Sequence, residues 1–195
     1  MDYYTEPKAV YYQMKRSYAP VLMSFFYRKD GKTVLFGVND TLQNKIVSFE
    51  YGLKRIADGK VIWEKSGETV LSKYGAYNVE LTDDIGNADT YLYVAYSYDG
   101  IKTTTLYSPD FWSGVKFESD YAVKKEQLAE NRIAVTVKAN KFAKSVFVNM
   151  PDNYKCDYSD NYFDLEAGEG KTIIILSAEK IDVKDVEITD LGFYK

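Results

Sequence analysis

Carboxylates are the most plentiful side chains with catalytic chemistry in this sequence, which has 29 Asp and Glu residues. Two carboxyl groups held about 5 Å apart can serve as nucleophile and general acid in glycoside hydrolysis. The acidic residues weighed for such a pair are Glu64, Glu68, Asp83, Asp84, Glu166 and Glu169. They lie in turn-like or strand-edge segments, where carboxylates are ordinarily solvated surface charges. The sequence therefore predicts no catalytic residue.

Histidine is absent, and Cys156 is the single cysteine. Without histidine, Ser-His-Asp chemistry is excluded, a zinc site is disfavoured, and a cysteine nucleophile lacks its usual base. A single cysteine also excludes an intrachain disulfide. We predict no metal site and no cofactor, and we interpret Cys156 as an ordinary sheet residue.

The segment from Asp157 to Asp164 concentrates acidic, amide and aromatic side chains. Such a set could bind calcium or the edge of a sugar. However, the spacing lacks the glycine and the final glutamate of an EF-hand loop. We favour a turn entering a strand, in which the side chain of Asp160 or Asn161 bonds to its own backbone.

Aromatic residues are abundant, with 19 Tyr, 10 Phe and 2 Trp. Aromatic side chains favour the half-buried surface of a sheet, so our first interpretation is that these residues pack within β-sheets. The alternative is a sugar-binding platform, because an aromatic face can stack on a pyranose ring. The candidate sugar contacts are Trp112, Tyr158 and Tyr162. Trp112 is also a candidate wedge between two domains, and Trp63 is predicted to lie in a core.

The triplet Asn39-Asp40-Thr41 fits the glycosylation sequon, a pattern that is frequent by chance. We interpret it as a turn after a strand that ends at Val38.

Charge and hydropathy narrow the classes of partner. The net charge is −4 and the isoelectric point is about 5.0, so there is no basic field to neutralise phosphates. No apolar stretch approaches the roughly 20 residues of a membrane helix, and no basic-then-apolar leader opens the sequence. We predict no nucleic-acid partner and no membrane association.

One helix is predicted at the start of the chain. Thr5 can cap it, Pro7 suits its first turn, and Lys8–Tyr18 continues it until Pro20. The residues Val10, Met14 and Tyr18 fall on one stripe and are predicted to cover the first β-domain. Tyr4, Tyr11 and Tyr12 are spread around the helix, and some of them are expected to face a missing neighbour.

After Pro20 the hydrophobic period changes to two. It is clearest where Val47, Phe49, Tyr51 and Leu53 alternate with polar residues or glycine. The strands predicted around this one are Val21–Arg28, Thr33–Val38, Lys60–Glu64, Tyr77–Leu81, Tyr91–Ser97 and Ile101–Leu106. Asp-Gly pairs at 30–31, 58–59 and 99–100 are typical of hairpin turns.

A second strand series follows the segment from Tyr107 to Gly114, whose proline and glycine mark a junction. Its strands are predicted at Ala122–Leu128, Ile133–Ala139, Ser145–Met150, Tyr154–Tyr158, Tyr162–Leu165, Lys171–Ser177 and Val186–Thr189. Seven short strands in about ninety residues are typical of an immunoglobulin-like sandwich. We therefore predict an all-β protein with a terminal helix at 1–18 and two tandem immunoglobulin-like β-sandwiches at 19–107 and 108–195.

Short motifs carry a family resemblance. Those near the start are Asp2-Tyr3-Tyr4, Pro7-Lys8, Tyr11-Tyr12, Lys15-Arg16, Ala19-Pro20-Val21 and Phe36-Gly37-Val38-Asn39-Asp40. Those of the second half are Ser159-Asp160-Asn161-Tyr162-Phe163-Asp164-Leu165, Gly168-Glu169, Lys171-Thr172 and Val186 to Leu191. Together they resemble the end of a family 2 glycoside hydrolase of the β-mannosidase type, where the catalytic barrel passes into C-terminal immunoglobulin-like domains.

The resemblance implies a non-catalytic accessory region that packs against the barrel of the same polypeptide. In the family, two barrel glutamates do the chemistry, the acid/base residue within an Asn-Glu pair. This sequence has no Asn-Glu dipeptide and no barrel, so no catalytic residue carries over. Two alternatives remain open: a carbohydrate-binding module that uses exposed aromatics, and an adhesion-type sandwich pair with a protein partner.

Overall fold

The computed structural model describes residues 7–108, 112–151 and 153–193, without the side chain of Phe193. Within these ranges the chain forms one α-helix, α1 (Ala9–Ser17), and fourteen β-strands. The chain divides into two compact units. The N-terminal sandwich comprises Arg16–Ile56 and Lys60–Val115, and the C-terminal sandwich comprises the residues up to Lys15, Ala57–Gly59 and the residues from Lys116 onward. No described helix is long and apolar enough to cross a membrane.

The strands of the N-terminal sandwich are β1 (Val21–Tyr27), β2 (Thr33–Asn39), β3 (Lys45–Arg55), β4 (Val61–Leu71), β5 (Gly75–Glu80), β6 (Thr90–Tyr98) and β7 (Ile101–Tyr107). They form two antiparallel sheets, ordered β1-β2-β5 and β4-β3-β6-β7. The turn between β6 and β7 has positive φ at Asp99 (48°) and Gly100 (77°), the backbone that a two-residue Asp-Gly hairpin requires. The hairpin predicted there is confirmed.

The core of this unit lies between its two sheets. Both sheets contribute apolar side chains that are nearly inaccessible to solvent: Val21, Met23, Phe25, Leu35, Val47, Phe49, Tyr51, Leu53, Leu71, Leu81, Leu92, Val94 and Tyr96. The alternation predicted for β3 is confirmed, because Val47 and Leu53 are buried while Ser48 and Glu50 are exposed.

The strands of the C-terminal sandwich are β8 (Tyr121–Ala129), β9 (Arg132–Ala139), β10 (Ala143–Asn149), β11 (Cys156–Tyr158), β12 (Phe163–Leu165), β13 (Gly170–Ser177) and β14 (Glu187–Thr189). They also form a three-stranded and a four-stranded sheet, ordered β12-β10-β14 and β11-β13-β9-β8. Cys156 is a sheet residue, as predicted. Short 3-10 helices occupy Val183–Asp185 and Leu191–Phe193.

The core of the C-terminal sandwich again joins the two sheets. Ile133, Val135 and Val137 of β9 are completely buried, which confirms their predicted alternation. Facing them are side chains of the other sheet, among them Val146, Val148, Phe163 and Leu165. An all-β chain with two sandwiches and one short helix is therefore confirmed.

Two sequence-based predictions about elements need correction. Strand β4 continues to Leu71 instead of ending at Glu64, because it pairs with β3 along its length. The stripe Val10, Met14 and Tyr18 does not cover a β-domain, because these side chains are 61%, 49% and 77% exposed. The cap predicted at Thr5 lies outside the described residues.

Asn39 ends β2 and fixes the following turn from inside. Its amide nitrogen donates to the carbonyl oxygens of Gln43 (2.8 Å), Leu71 (3.0 Å) and Ser72 (3.0 Å). Its side-chain oxygen accepts hydrogen bonds from both the backbone N–H and the hydroxyl of Thr41. Asn39 is fully buried, so the nitrogen that glycosylation would modify is occupied by the fold. The interpretation of this triplet as a turn is confirmed.

Candidate functional site

A single tyrosine attaches helix α1 to the C-terminal sandwich. Tyr12 is 2% exposed and is the only buried residue of the helix. Its ring centroid lies 6.0 Å from that of Tyr162, which in turn stacks on Phe147 at 4.5 Å with an interplanar angle of 19°. One helical turn later, Lys15 Nζ donates to the carbonyl oxygen of Ser159 at 3.2 Å. We call the receiving residues Phe147, Ser159 and Tyr162 the helix socket.

Burial governs the chemistry of the Tyr12 hydroxyl. It raises the pKa of Tyr12 to about 12, and the neighbouring Tyr11 and Asp160 add to this shift. The hydroxyl therefore stays protonated throughout the neutral range. Tyr11 differs from its neighbour, because it packs edge-to-face on Tyr12 at 5.2 Å but remains 42% exposed. We expected some of Tyr4, Tyr11 and Tyr12 to face a missing neighbour. Tyr12 is buried in the helix socket, Tyr11 stays exposed, and Tyr4 lies outside the described residues.

The turn at Ser159–Asn161 supplies part of the socket. Asp160 Oδ1 accepts from the backbone N–H of Asn161 at 2.8 Å, which confirms the predicted side-chain-to-backbone bond. Asn161 is 1% exposed, and its amide bonds both the N–H (2.8 Å) and the C=O (2.7 Å) of Val148 on β10. Asp160 Oδ2 pairs with Lys171 at 2.5 Å. Among the described residues, no group of three or more Cys, Asp or Glu side chains is placed to hold a metal ion.

The three predicted sugar contacts lie in different surroundings. Tyr158 packs against the core of the C-terminal sandwich, and its hydroxyl accepts from the N–H of Met150 at 3.1 Å. Tyr162 has its ring between Phe147 and Tyr12. Trp112 belongs to the N-terminal sandwich, where its half-buried ring lies 6.2 Å from the buried Tyr91. Protein contacts thus occupy part of each ring, and a role in sugar binding stays a prediction.

The structure places two carboxylates beside one tyrosine hydroxyl: that of Glu64, which the sequence analysis weighed, and that of Glu50, which it did not. On the outer face of the β4-β3-β6-β7 sheet, the Tyr93 hydroxyl lies 2.9 Å from Glu50 Oε1 and 3.2 Å from Glu64 Oε2. Lys54 Nζ lies 3.9 Å from the centre of the same ring. Burial, followed by the hydrogen bond to Glu50, raises the pKa of Tyr93.

This cluster joins side chains of three paired strands, β3, β4 and β6. Gly52, directly opposite Tyr93, leaves room for the ring, because a Cβ there would lie 3.1 Å from Tyr93 Cε1 and 2.3 Å from the Trp63 carbonyl oxygen. The carboxylates of Glu50 and Glu64 both lie within hydrogen-bond distance of the Tyr93 hydroxyl, and both glutamates remain exposed. Only the strand register assembles these residues, so no local sequence signal could have identified them.

Comparison with known proteins agrees with this architecture. Residues 118–192 match the family model of the mannosidase immunoglobulin-fold domain. The β-D-mannosidase from Dictyoglomus thermophilum superposes with a TM-score of 0.80 at 18% identity, over 98% of this chain and 24% of that one. An exo-chitosanase from Amycolatopsis orientalis gives 0.61 at 15% identity, over 97% and 28%. No curated protein matches.

The family-model match confirms the immunoglobulin-like character of residues 118–192 and the resemblance to the β-mannosidase type seen in their motifs. At identities below one in five, the solved structures support the fold alone. The chain spans about a quarter of the length of the structures that it matches.

Proposed function

We propose that this chain is the non-catalytic C-terminal accessory region of a family 2 glycoside hydrolase. The support is that residues 118–192 match the family model of the mannosidase immunoglobulin-fold domain. In this proposal, residues 1–18 are the last helix of a catalytic barrel, and 19–107 and 108–195 are two sandwiches that support the barrel. The parent protein would be a β-mannosidase-like hydrolase.

The observation that carries the proposal is the two-sided character of α1. One side is held by Tyr12 in the helix socket. The other side presents Val10 and Met14, which are 61% and 49% exposed although both are apolar. A nine-residue helix is too short to be stable alone in water, so α1 depends on its packing partners. A helix that is packed on one side and exposes apolar side chains on the other is suited to a position between two domains.

Among the described residues, the carboxylate pair of Glu50 and Glu64 does not have the arrangement that glycoside hydrolysis requires. A retaining glycosidase places its two carboxyl groups on either side of the bond to be cleaved, inside a pocket that holds the sugar. The carboxylates of Glu50 and Glu64 instead share one tyrosine on an exposed sheet face. Chemistry in the parent enzyme would therefore come from the barrel.

The first test is the reading frame upstream of Met1, which should encode a barrel of about 250 residues with an Asn-Glu pair. The second uses the whole protein in which both Val10 and Met14 are replaced by Asp. We expect a lower melting temperature and weaker hydrolysis of an aryl β-mannoside, because two charges would enter the interface with the barrel. Leu42→Asp, at a 74% exposed site of the N-terminal sandwich, is the matched control.

Either of two results would end the proposal. One is an upstream frame that encodes no barrel. The other is turnover of the aryl β-mannoside by the isolated 195-residue chain, abolished by a point substitution within it.

A further inference from the structure

Helix α1 is held by a part of the chain that is distant from it in sequence. It leads directly into the N-terminal sandwich, which begins at Arg16, yet the residues up to Lys15 belong to the same compact unit as the C-terminal sandwich. The contact between Tyr12 and Tyr162, whose ring centroids lie 6.0 Å apart, joins the two. The C-terminal sandwich therefore holds a helix from which the whole N-terminal sandwich separates it in sequence.

The contacts of α1 with the C-terminal sandwich come from one side of the helix. An α-helix turns by about 100° per residue, so Tyr12 and Lys15 point in directions about 60° apart around its axis. The ring of Tyr12 is buried in the helix socket, and Lys15 Nζ donates to the carbonyl oxygen of Ser159. We call this side of α1, defined by Tyr12 and Lys15, the sandwich side.

The opposite side of α1 carries exposed apolar residues. Val10 and Met14 lie about 40° from each other around the axis and about 160° from Tyr12. They are the 61% and 49% exposed residues on which the proposed function depends. In that proposal they pack against the barrel, whose helices form a ring around its strands. The sandwich side would then be the outer side of the last barrel helix.

Tyr12 is an unusual residue for the outer side of a barrel helix. Such a side ordinarily meets water and is therefore polar, because only the inner side packs on the strands. Tyr12 is instead almost completely buried, and the ring that it meets belongs to Tyr162 of the C-terminal sandwich. Without that sandwich, a large aromatic side chain would be exposed and a short helix would lose one of its packing partners.

We propose that the C-terminal sandwich holds the last helix of the catalytic barrel in place. This inference rests on the proposed function and adds to it which of the two sandwiches makes the contact and through which residues. The helix socket is the surface of the C-terminal sandwich that receives the barrel, and α1 is the segment of the barrel that occupies it. The C-terminal sandwich thereby stabilises the catalytic domain directly.

A double-mutant cycle in the whole protein tests this proposal. The quantity measured is the temperature at which half of the hydrolysis of an aryl β-mannoside is lost, because this activity reports on the barrel. The variants are Tyr12→Ala, Tyr162→Asn and the two combined. Asparagine tolerates the left-handed backbone of residue 162, where φ is 51°, so this change removes the ring and keeps the turn.

Each single substitution should lower the half-inactivation temperature by about 5 °C. The double variant should lower it no further, because both changes remove the same contact. Should Tyr162→Asn fail to fold, Lys15→Met takes its place in the cycle. This change removes the bond to Ser159 and keeps most of the side-chain length, and it should lower the half-inactivation temperature by about 2 °C.

Tyr154 provides the matched control within the same sandwich. Its ring packs against the core, and its hydroxyl donates to Asp185 Oδ2 at 3.0 Å. Tyr154→Ala therefore weakens the C-terminal sandwich outside the helix socket. Its effect on the half-inactivation temperature should add to that of Tyr12→Ala, since the two substitutions remove different contacts.

Three results would overturn the proposal. The first is an unchanged half-inactivation temperature in both single variants, and the second is a fully additive effect of Tyr12→Ala and Tyr162→Asn. The third is coupling of Tyr12→Ala to Tyr154→Ala as strong as its coupling to Tyr162→Asn, which would assign the effect to the general stability of the sandwich. Each of these results leaves a barrel with activity in the protein, so the accessory role would stand, whereas an upstream frame without a barrel would end both proposals.

Discussion

Replacement of Tyr12 by Ala should detach α1 from the C-terminal sandwich. A buried tyrosine removes on the order of 200 Å² from water, which at about 25 cal/mol per Å² sets an upper limit of about 5 kcal/mol. The unfolded chain already buries part of this area, and ordering the nine helix residues opposes docking. We therefore expect Tyr12→Ala to lower the free energy of unfolding of the C-terminal sandwich by about 2–3 kcal/mol.

The adjacent tyrosine provides the control. Tyr11 is 42% exposed, so Tyr11→Ala should lower the free energy of unfolding by less than about 1 kcal/mol. Hydrogen exchange gives the local readout, because amides of α1 should lose protection in Tyr12→Ala and keep it in Tyr11→Ala. Equal losses of stability in the two variants, or a helix still protected without Tyr12, would refute the helix socket as the attachment point.

Three further outcomes are expected. In the folded protein the pKa values of Tyr12 and Tyr121 are about 12, whereas in the unfolded chain they are about 10. The unfolded chain therefore loses these two protons first as the pH rises, and the free energy of unfolding should fall between pH 10 and 12. Alkaline denaturation should show this fall, with a shallower slope in Tyr12→Phe. Asp160→Ala should lower the free energy of unfolding in urea by about 1 kcal/mol through the lost turn bond, and Asn161→Ala should lower it by more. A calcium-dependent rise in the melting temperature of the unmodified chain would contradict this structural role. The isolated chain should self-associate weakly through its exposed helix face, and light scattering on a dilution series should show less association in Tyr11→Ser.

Local sequence patterns were sufficient to predict most of the fold. The alternation in β3 and β9, and the Asp99-Gly100 turn, are set by interactions between residues close in sequence. The length of β4 was missed because Ser66-Gly67-Glu68 has the composition of a turn. In the structure, Gly67 is needed within the strand, since Phe49 occupies the space of its side chain.

The position of α1 could not be read from its sequence. Apolar residues lie on more than one side of this helix, and the stripe of Val10 and Met14 gives the stronger periodicity. Which side is buried depends on the partner, and the partner of Tyr12 is Tyr162, near the other end of the chain.

The socket that holds α1 depends on a strained residue. Tyr162 has φ of 51°, a left-handed conformation that costs a bulky side chain about 1–2 kcal/mol. Its neighbour Asn161 fixes the backbone there, with two bonds to Val148 and a third from the N–H of Tyr162 itself. The backbone so fixed places the Tyr162 ring on Phe147, where it also meets Tyr12. The acidic and aromatic segment that could have been a ligand site is therefore the element that builds the helix socket, and the turn chemistry of the C-terminal sandwich is what determines where the preceding helix is held.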